Sequence, residues 1–193
     1  MYLSSNLFIR EFKIPSAIFQ SSKVSKSQDS SFGIENLPIK QQGVFFFCGN
    51  GASATMAEHM SHDCFQNADF LTQTCSETAH ITAISNDISY EDVFSYKIHK
   101  TLKEKDMLIT ISSSGNSPNI IKAIKTAKQL GAYVVTLSGK KEDNESRKLG
   151  DINFYVPLKT YGMVESAHAV LLHCWLDMYL ISRPAKSPSA PCK

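Results

Sequence analysis

What this chain lacks narrows its possibilities first. It has no apolar run approaching the roughly 20 residues of a membrane-spanning helix, and its first residues lack the hydrophobic core of a signal peptide. Its five cysteines (Cys48, Cys64, Cys75, Cys174 and Cys192) are odd in number and show no Cys-x-x-Cys spacing. A disulfide framework is therefore not implied, and reduced thiols in a cytoplasmic protein are expected. Charge of either sign is not in surplus: 20 basic side chains against 18 acidic ones leave a net +2. That balance points to no nucleic-acid partner and no membrane surface, and the chain has neither the room nor the basic patch for an added DNA-binding domain. The 193 residues, 42% apolar and 20% charged, suit one soluble globular domain with its own core.

The chain is organised around Leu108-Ile109-Thr110-Ile111-Ser112-Ser113-Ser114-Gly115-Asn116-Ser117-Pro118-Asn119. A short apolar, β-branched run predicts a buried strand, and four hydroxyls and a glycine follow at once. Pro118 then opens a segment whose apolar residues Ile120, Ile121, Ala123, Ile124 and Ala127 recur at helical spacing. The hydroxyls thus fall at a strand-to-helix turn, where free backbone N–H groups and the positive helix end favour an anion. Phosphate suits so many neutral donors better than a carboxylate does. The plainer alternative is a well-capped helix behind a solvated serine loop.

A second strand–turn–helix unit runs from Val44-Phe45-Phe46-Phe47-Cys48 through Gly49-Asn50-Gly51-Ala52-Ser53 into a helix from Ala54 to about Phe65. That helix carries Glu58, His59, His62 and Asp63. His59 and Asp63, four apart, share a face, as metal ligands, an acid/base pair or an ordinary solvated pair would. Ile81–Ile84 predicts a third strand ending in Ser85-Asn86-Asp87, where Asp87 faces a ligand or caps the next helix. A helix follows over Tyr90–Leu102, then strands at Ala132–Leu137 and Ile152–Pro157, with Lys140 between them as a surface lysine. The last helix spans Gly162 to about Ile181, bearing Glu165, His168 and His173 beside an apolar stripe.

Strands alternating with helices predict a three-layer α/β/α sandwich around a mostly parallel five-stranded sheet, flavodoxin-like in plan. Function then collects at the carboxyl ends of the strands. Neither glycine turn matches a dinucleotide fingerprint or a P-loop with its lysine, so a small phosphorylated molecule fits better than a nucleotide. Residues 1–40 carry no readable signal beyond a serine- and lysine-rich stretch, residues 41–182 form the domain, and 183–193 read as a disordered tail.

At Cys48–Ser53, Ser85-Asn86-Asp87 and Ile111–Ser117 the chain resembles sugar isomerase (SIS) domains, and within them the bacterial phosphoheptose isomerases. The resemblance runs from about Val44 to Leu180. It implies conversion of sedoheptulose 7-phosphate to a manno-heptose 7-phosphate for surface polysaccharide, in a cytoplasmic homotetramer with one zinc ion per subunit. It places Asn50, Gly51, Ser53, Asp87, Ser112, Ser113, Ser114 and Ser117 on the phosphorylated sugar. It places His59, Asp63, Glu165 and His173 at the metal, and Asp63 and His173 in proton transfer as candidate base and acid. An enediol route needs such a pair near C1 and C2.

Four positions depart from the family pattern. Asp63 stands for glutamate, Glu165 for glutamine, Asn67 for arginine and Gly162 for aspartate. Glu165 and His173 are also eight residues apart, about 12 Å along a straight helix. They share one metal only if the helix begins after Glu165 or if they come from different chains. A non-catalytic SIS module that binds a phosphosugar or a protein, and an isomerase of a related phosphosugar, remain the alternatives.

Overall fold

The computed structural model describes residues 43–182. The expectations for residues 1–40 and for the tail lie outside the described residues. Five strands form one sheet: β1 (Phe45–Gly49), β2 (Thr72–Thr74), β3 (Met107–Ser112), β4 (Tyr133–Gly139) and β5 (Ile152–Val156). Their order is β2-β1-β3-β4-β5 and every pairing is parallel, so the expected "mostly" becomes wholly. The helices are α1 (Ala52–Ala68), α2 (Thr78–Asp87), α3 (Val93–Thr101), α4 (Pro118–Gln129), α5 (Glu145–Leu149) and α6 (Tyr161–Ser182), with a 3-10 turn at Tyr90–Asp92.

Buried parallel strands read as continuous apolar runs because both faces are covered, and β1 and β3 are buried at every residue. Alternation then divides the core in two. Phe45, Phe47, Met107 and Ile109 meet Met60, Leu171 and Trp175 of α1 and α6 on one face. Phe46, Cys48, Leu108 and Val134 meet Phe94, Ile98, Ile120 and Ile124 of α3 and α4 on the other. Phe70 stacks on Phe45 at 4.5 Å between ring centroids and meets Tyr179 in a tilted pair at 4.7 Å, closing the α6 side.

One element is corrected. Ile81–Ile84 is not a strand but lies inside α2, and the missing strand is Thr72-Gln73-Thr74. The burial pattern gives the reason. Ile84 is buried and Ile81 packs against the same core, while Thr82 and Ala83 are exposed. A spacing of three places both isoleucines on one helical face, whereas a strand would pair alternate residues. The true edge strand is three polar residues long and carries no hydrophobic period to detect.

Chain order places the site. β1 leads to β2 on one side, and the chain then returns to β3 on the other side of β1. The crevice beyond the carboxyl ends of β1 and β3 is the switch point at which open α/β sheets bind ligands.

Candidate active site

Two turns meet at that switch point. In the first, β1 ends at Gly49, and Gly51 takes a φ of 55° before α1 begins. Nothing lies within 4 Å of where a Cβ on Gly51 would stand, so its backbone faces open space. Ser53 follows in the first helical turn, with only 4% of its surface exposed. In the second, β3 runs out at Ser112, and Gly115 takes a φ of 65°. The Gly115 N–H donates to Ser112 Oγ at 3.2 Å and the Asn116 N–H to Ser114 Oγ at 3.2 Å. Ser117 is the N-cap of α4 but makes no side-chain capping bond, and Pro118 fills the first helical position.

The Ser113 hydroxyl is buried and has no hydrogen-bond partner. A hydroxyl left so in an apolar setting costs free energy, and such groups normally find a partner. Together with the uncommitted Ser117 side chain and the start of α4, it makes a cradle of donors suited to an anion. Ser53, Ser112, Ser113, Ser114 and Ser117 therefore all lie on the two facing turns, as do Asn50 and Gly51.

Asp87 lies elsewhere than expected. It is the exposed last residue of α2, not the end of a strand, and it accepts a bond from Asn86 Nδ2 at 2.9 Å. The chain returns to the site three residues later, where the Tyr90 hydroxyl donates to Asn50 Oδ1 at 3.0 Å.

A second group forms between α1 and α6. His59, Asp63 and His173 offer one ligand atom each, all within 4.8 Å of one another. His59 Nε2 is 3.3 Å from Asp63 Oδ2, and His173 Nδ1 is 4.0 Å from the same oxygen. The two rings meet edge to face at 5.2 Å. Ligands held about 2.0–2.1 Å from a tetrahedral zinc sit about 3.3–3.4 Å apart, and two histidines with one carboxylate leave a position open. The first separation matches that spacing and the second is wider; two histidines and one carboxylate are a donor set that could hold a metal ion. Glu165 does not join the group within one chain. Because α6 already begins at Tyr161, Glu165 sits inside the helix two turns before His173. A metal held by both Glu165 and His173 would need them to come from different chains.

Four residues near the two turns make contacts that sequence reasoning did not find. Asn119 pairs with Asn50, Tyr90 joins them, Asn144 lies beneath Gly115 and His168 reaches Ser138. Asn119 and Asn144 stand near recognisable turns; Asn144 caps its own helix, while its place beneath Gly115 and the Asn50–Asn119 pair are set by packing between distant segments.

A wholly parallel five-stranded α/β sheet with two hydroxyl- and glycine-rich turns facing each other at its switch point defines the class of fold. The SIS domain family model matches residues 37–139. Phosphoheptose isomerase 1 of Campylobacter jejuni is 34% identical over 176 residues, covering 87% of this chain and 94% of that protein. A Helicobacter pylori phosphoheptose isomerase is 32% identical over 145 residues, 72% of this chain and 75% of its own. Among solved structures, a phosphoheptose isomerase from Neisseria gonorrhoeae aligns with a TM-score of 0.65 at 30% identity, over 70% of this chain and 75% of that one. One from Francisella tularensis aligns at 0.67 and 26% identity, over 73% and 77%. The chain belongs to the SIS domain family.

Proposed function

We propose that this protein is an aldose–ketose isomerase that interconverts sedoheptulose 7-phosphate and D-glycero-D-manno-heptose 7-phosphate for surface polysaccharide. The observation that carries the reading is the His59–Asp63–His173 group in a domain whose serine turn offers a buried, partnerless hydroxyl to an anion. A scaffold that only binds has no use for that group, which makes a non-catalytic module the weaker reading.

The serine turns hold the phosphate, fixing the sugar so that its C1 and C2 reach the proton-transfer groups. Asp63 is the candidate base that takes the proton from C1 as the electron pair forms the C1=C2 bond. His173 is the candidate acid that protonates the carbonyl oxygen to give the enediol. Return of a proton to C2, with loss of one from the C1 hydroxyl, completes the aldose. His59 stands beside Asp63 and would hold the zinc ion with Asp63 and His173; Glu165 would join from a neighbouring copy. When bound, zinc supplies Lewis-acid polarisation of the carbonyl.

The assembly we infer is a homotetramer in the cytoplasm. Around α1, at 100° per residue, His59 and Asp63 lie about 120° and 80° from the direction of Ser53. The His/Asp group and Ser53 thus leave α1 in different directions, which favours a site completed by more than one copy. His59 and His173 are about half exposed, and Phe65, Met163, Val170 and Ile181 stand exposed on the same two helices. Apolar surface of that kind favours burial against other copies. Among the described residues, no helix is long and apolar enough to cross a membrane.

The test is turnover of sedoheptulose 7-phosphate by zinc-loaded and chelator-treated protein. Activity that falls on chelation and vanishes in Asp63→Ala and His173→Ala supports the isomerase. Thermal stabilisation by the phosphosugar without turnover leaves a binding module or another substrate, and the absence of both turnover and stabilisation overturns the heptose assignment.

A further inference from the structure

Within the serine turn the Gly115 N–H bonds to Ser112, at 3.0 Å to its carbonyl and 3.2 Å to its Oγ, and the Asn116 N–H bonds to Ser114 Oγ at 3.2 Å. Further support comes from behind. Asn144, 1% exposed, lies directly under Gly115: a Cβ there would stand 2.1 Å from Asn144 Oδ1. The start of α5 grips the same two residues, with the Ser146 N–H donating to the Gly115 carbonyl at 2.9 Å and the Glu145 N–H to Asn116 Oδ1 at 2.9 Å.

Asn144 is itself fully engaged. Its Nδ2 donates to Ser138 Oγ at 3.1 Å and to the Lys141 carbonyl at 2.8 Å, and its Oδ1 accepts from the Arg147 N–H at 3.0 Å. Ser138 is the β4 residue in register with Ser112. Its carbonyl accepts a bond from His168 Nε2 at 3.1 Å. Because a carbonyl only accepts, the neutral imidazole carries its proton on Nε2. His168 is wholly buried, and its helix carries His173 one and a half turns further on. A continuous chain of buried polar contacts thus runs from α6 through Ser138 and Asn144 to the floor of the serine turn. Buried networks of this kind rigidify what they hold through the bonds that are made, here all but one at His168 Nδ1, which has no partner among the described residues.

We propose that Asn144 and His168 are positioning residues that pre-form the phosphate cradle, His168 anchoring Ser138 and Asn144 seating Gly115 so that Ser112–Ser117 meet the anion without rearrangement. The inference rests on the phosphate-binding reading of that turn, though not on turnover. It assigns affinity for the phosphate end of the substrate to side chains that never touch it, because a cradle shaped beforehand binds without an ordering cost.

The experiment titrates inorganic phosphate by calorimetry into the full-length protein and the variants Asn144→Ser, His168→Leu and His168→Gln, with melting curves and with KM and kcat for sedoheptulose 7-phosphate. Serine keeps the cap on α5 while removing the floor, and glutamine restores a donor near the Nε2 position. Folded Asn144→Ser and His168→Leu should bind phosphate about tenfold more weakly, a loss of about 1.4 kcal/mol. KM should rise in step, with kcat little changed, and His168→Gln should recover most of the affinity. If His168→Leu does not fold, Asn144→Ser and His168→Gln decide the matter. Folded variants with wild-type phosphate affinity, or a wild-type protein that binds no phosphate, overturn the proposal. Phosphate binding without heptose turnover defeats the isomerase reading and leaves this one to be judged by the titration.

Discussion

Asn50 and Asn119 form a reciprocal amide pair across the switch point. Each donates its Nδ2 to the other's Oδ1 at 2.9 Å, although 69 residues separate them. Asn119 Oδ1 also accepts the Ile120 N–H at 2.9 Å, and Tyr90 adds its hydroxyl to Asn50 Oδ1. The pair sets the distance between the turn after β1 and the turn after β3, and hence the width of the crevice.

Asn119→Ala should therefore destabilise the fold by about 1–3 kcal/mol, since removing this 2%-exposed side chain deletes both amide bonds to Asn50, which keeps only the Tyr90 hydroxyl, and the acceptor of the Ile120 N–H. Tyr90→Phe, which removes one bond from an exposed ring, should cost less than about 1 kcal/mol. Urea unfolding of both variants reads the difference, and a double-mutant cycle with Asn50→Ala isolates the coupling.

Removing the metal should be visible without assaying turnover. A ligand that binds only the folded state stabilises it by mass action. Zinc-loaded protein should thus melt above chelator-treated protein, and His59→Ala should abolish that gap while the treated proteins melt alike. An equal gap in His59→Ala would exclude the residue as a ligand.

Asp106 predicts a different kind of loss. Its carboxylate, 5% exposed, accepts the Val44 N–H at 2.8 Å and the Lys103 N–H at 2.7 Å, tying the entrance of β1 to the entrance of β3. Asp106→Ala leaves both donors without a partner and should cost about 2–3 kcal/mol by chemical denaturation. Asp106→Asn keeps one acceptor oxygen and should lose less.

The pH dependence of stability should carry a signature of His168. Burial pushes its pKa from the ordinary 6.5 down to about 4, partly opposed by its bond to Ser138. Between those values the unfolded chain holds a proton that the folded chain refuses, so stability rises with pH across that window. The contribution is complete above pH 6.5 and drains away as pH falls toward 4, a change of about 3 kcal/mol. Melting curves of His168→Gln should be flatter than wild type between pH 4 and 6.5, and equal slopes would contradict this assignment.

The legible parts of the sequence were those where local pattern and global position agree. Leu108–Pro118 declares itself because an apolar strand, a hydroxyl turn and a proline at the first helical position follow without interruption. Thr72–Thr74 does not, because an edge strand of three polar residues has no period to reveal it. Ile81–Ile84 misleads because two isoleucines three apart suit a helix face as well as their β-branching suits a strand. That error moved Asp87 to a strand end it does not occupy. The meeting of His59 and Asp63 follows from their i,i+4 spacing, whereas the approach of His173 depends on α6 packing against α1. The contacts of Asn119 with Asn50 and of His168 with Ser138 were not legible for the same reason, since each joins segments far apart in sequence, whereas Asn144 caps its own helix through a local bond and only its seat beneath Gly115 depends on packing.

The strand order also governs how the chain comes together. β1 sits between β2 and β3, and its contact with β3 brings together groups 62 positions apart in sequence, as the Val44–Asp106 bond measures. Being wholly parallel, the sheet contains no hairpin to nucleate it, and non-local pairings of this kind form slowly because loop closure must precede any gain. During synthesis the Phe-rich β1 emerges long before β3 exists to cover its flank. The stretch Val44–Cys48 is therefore the segment most in need of protection from association until residue 112 has been made.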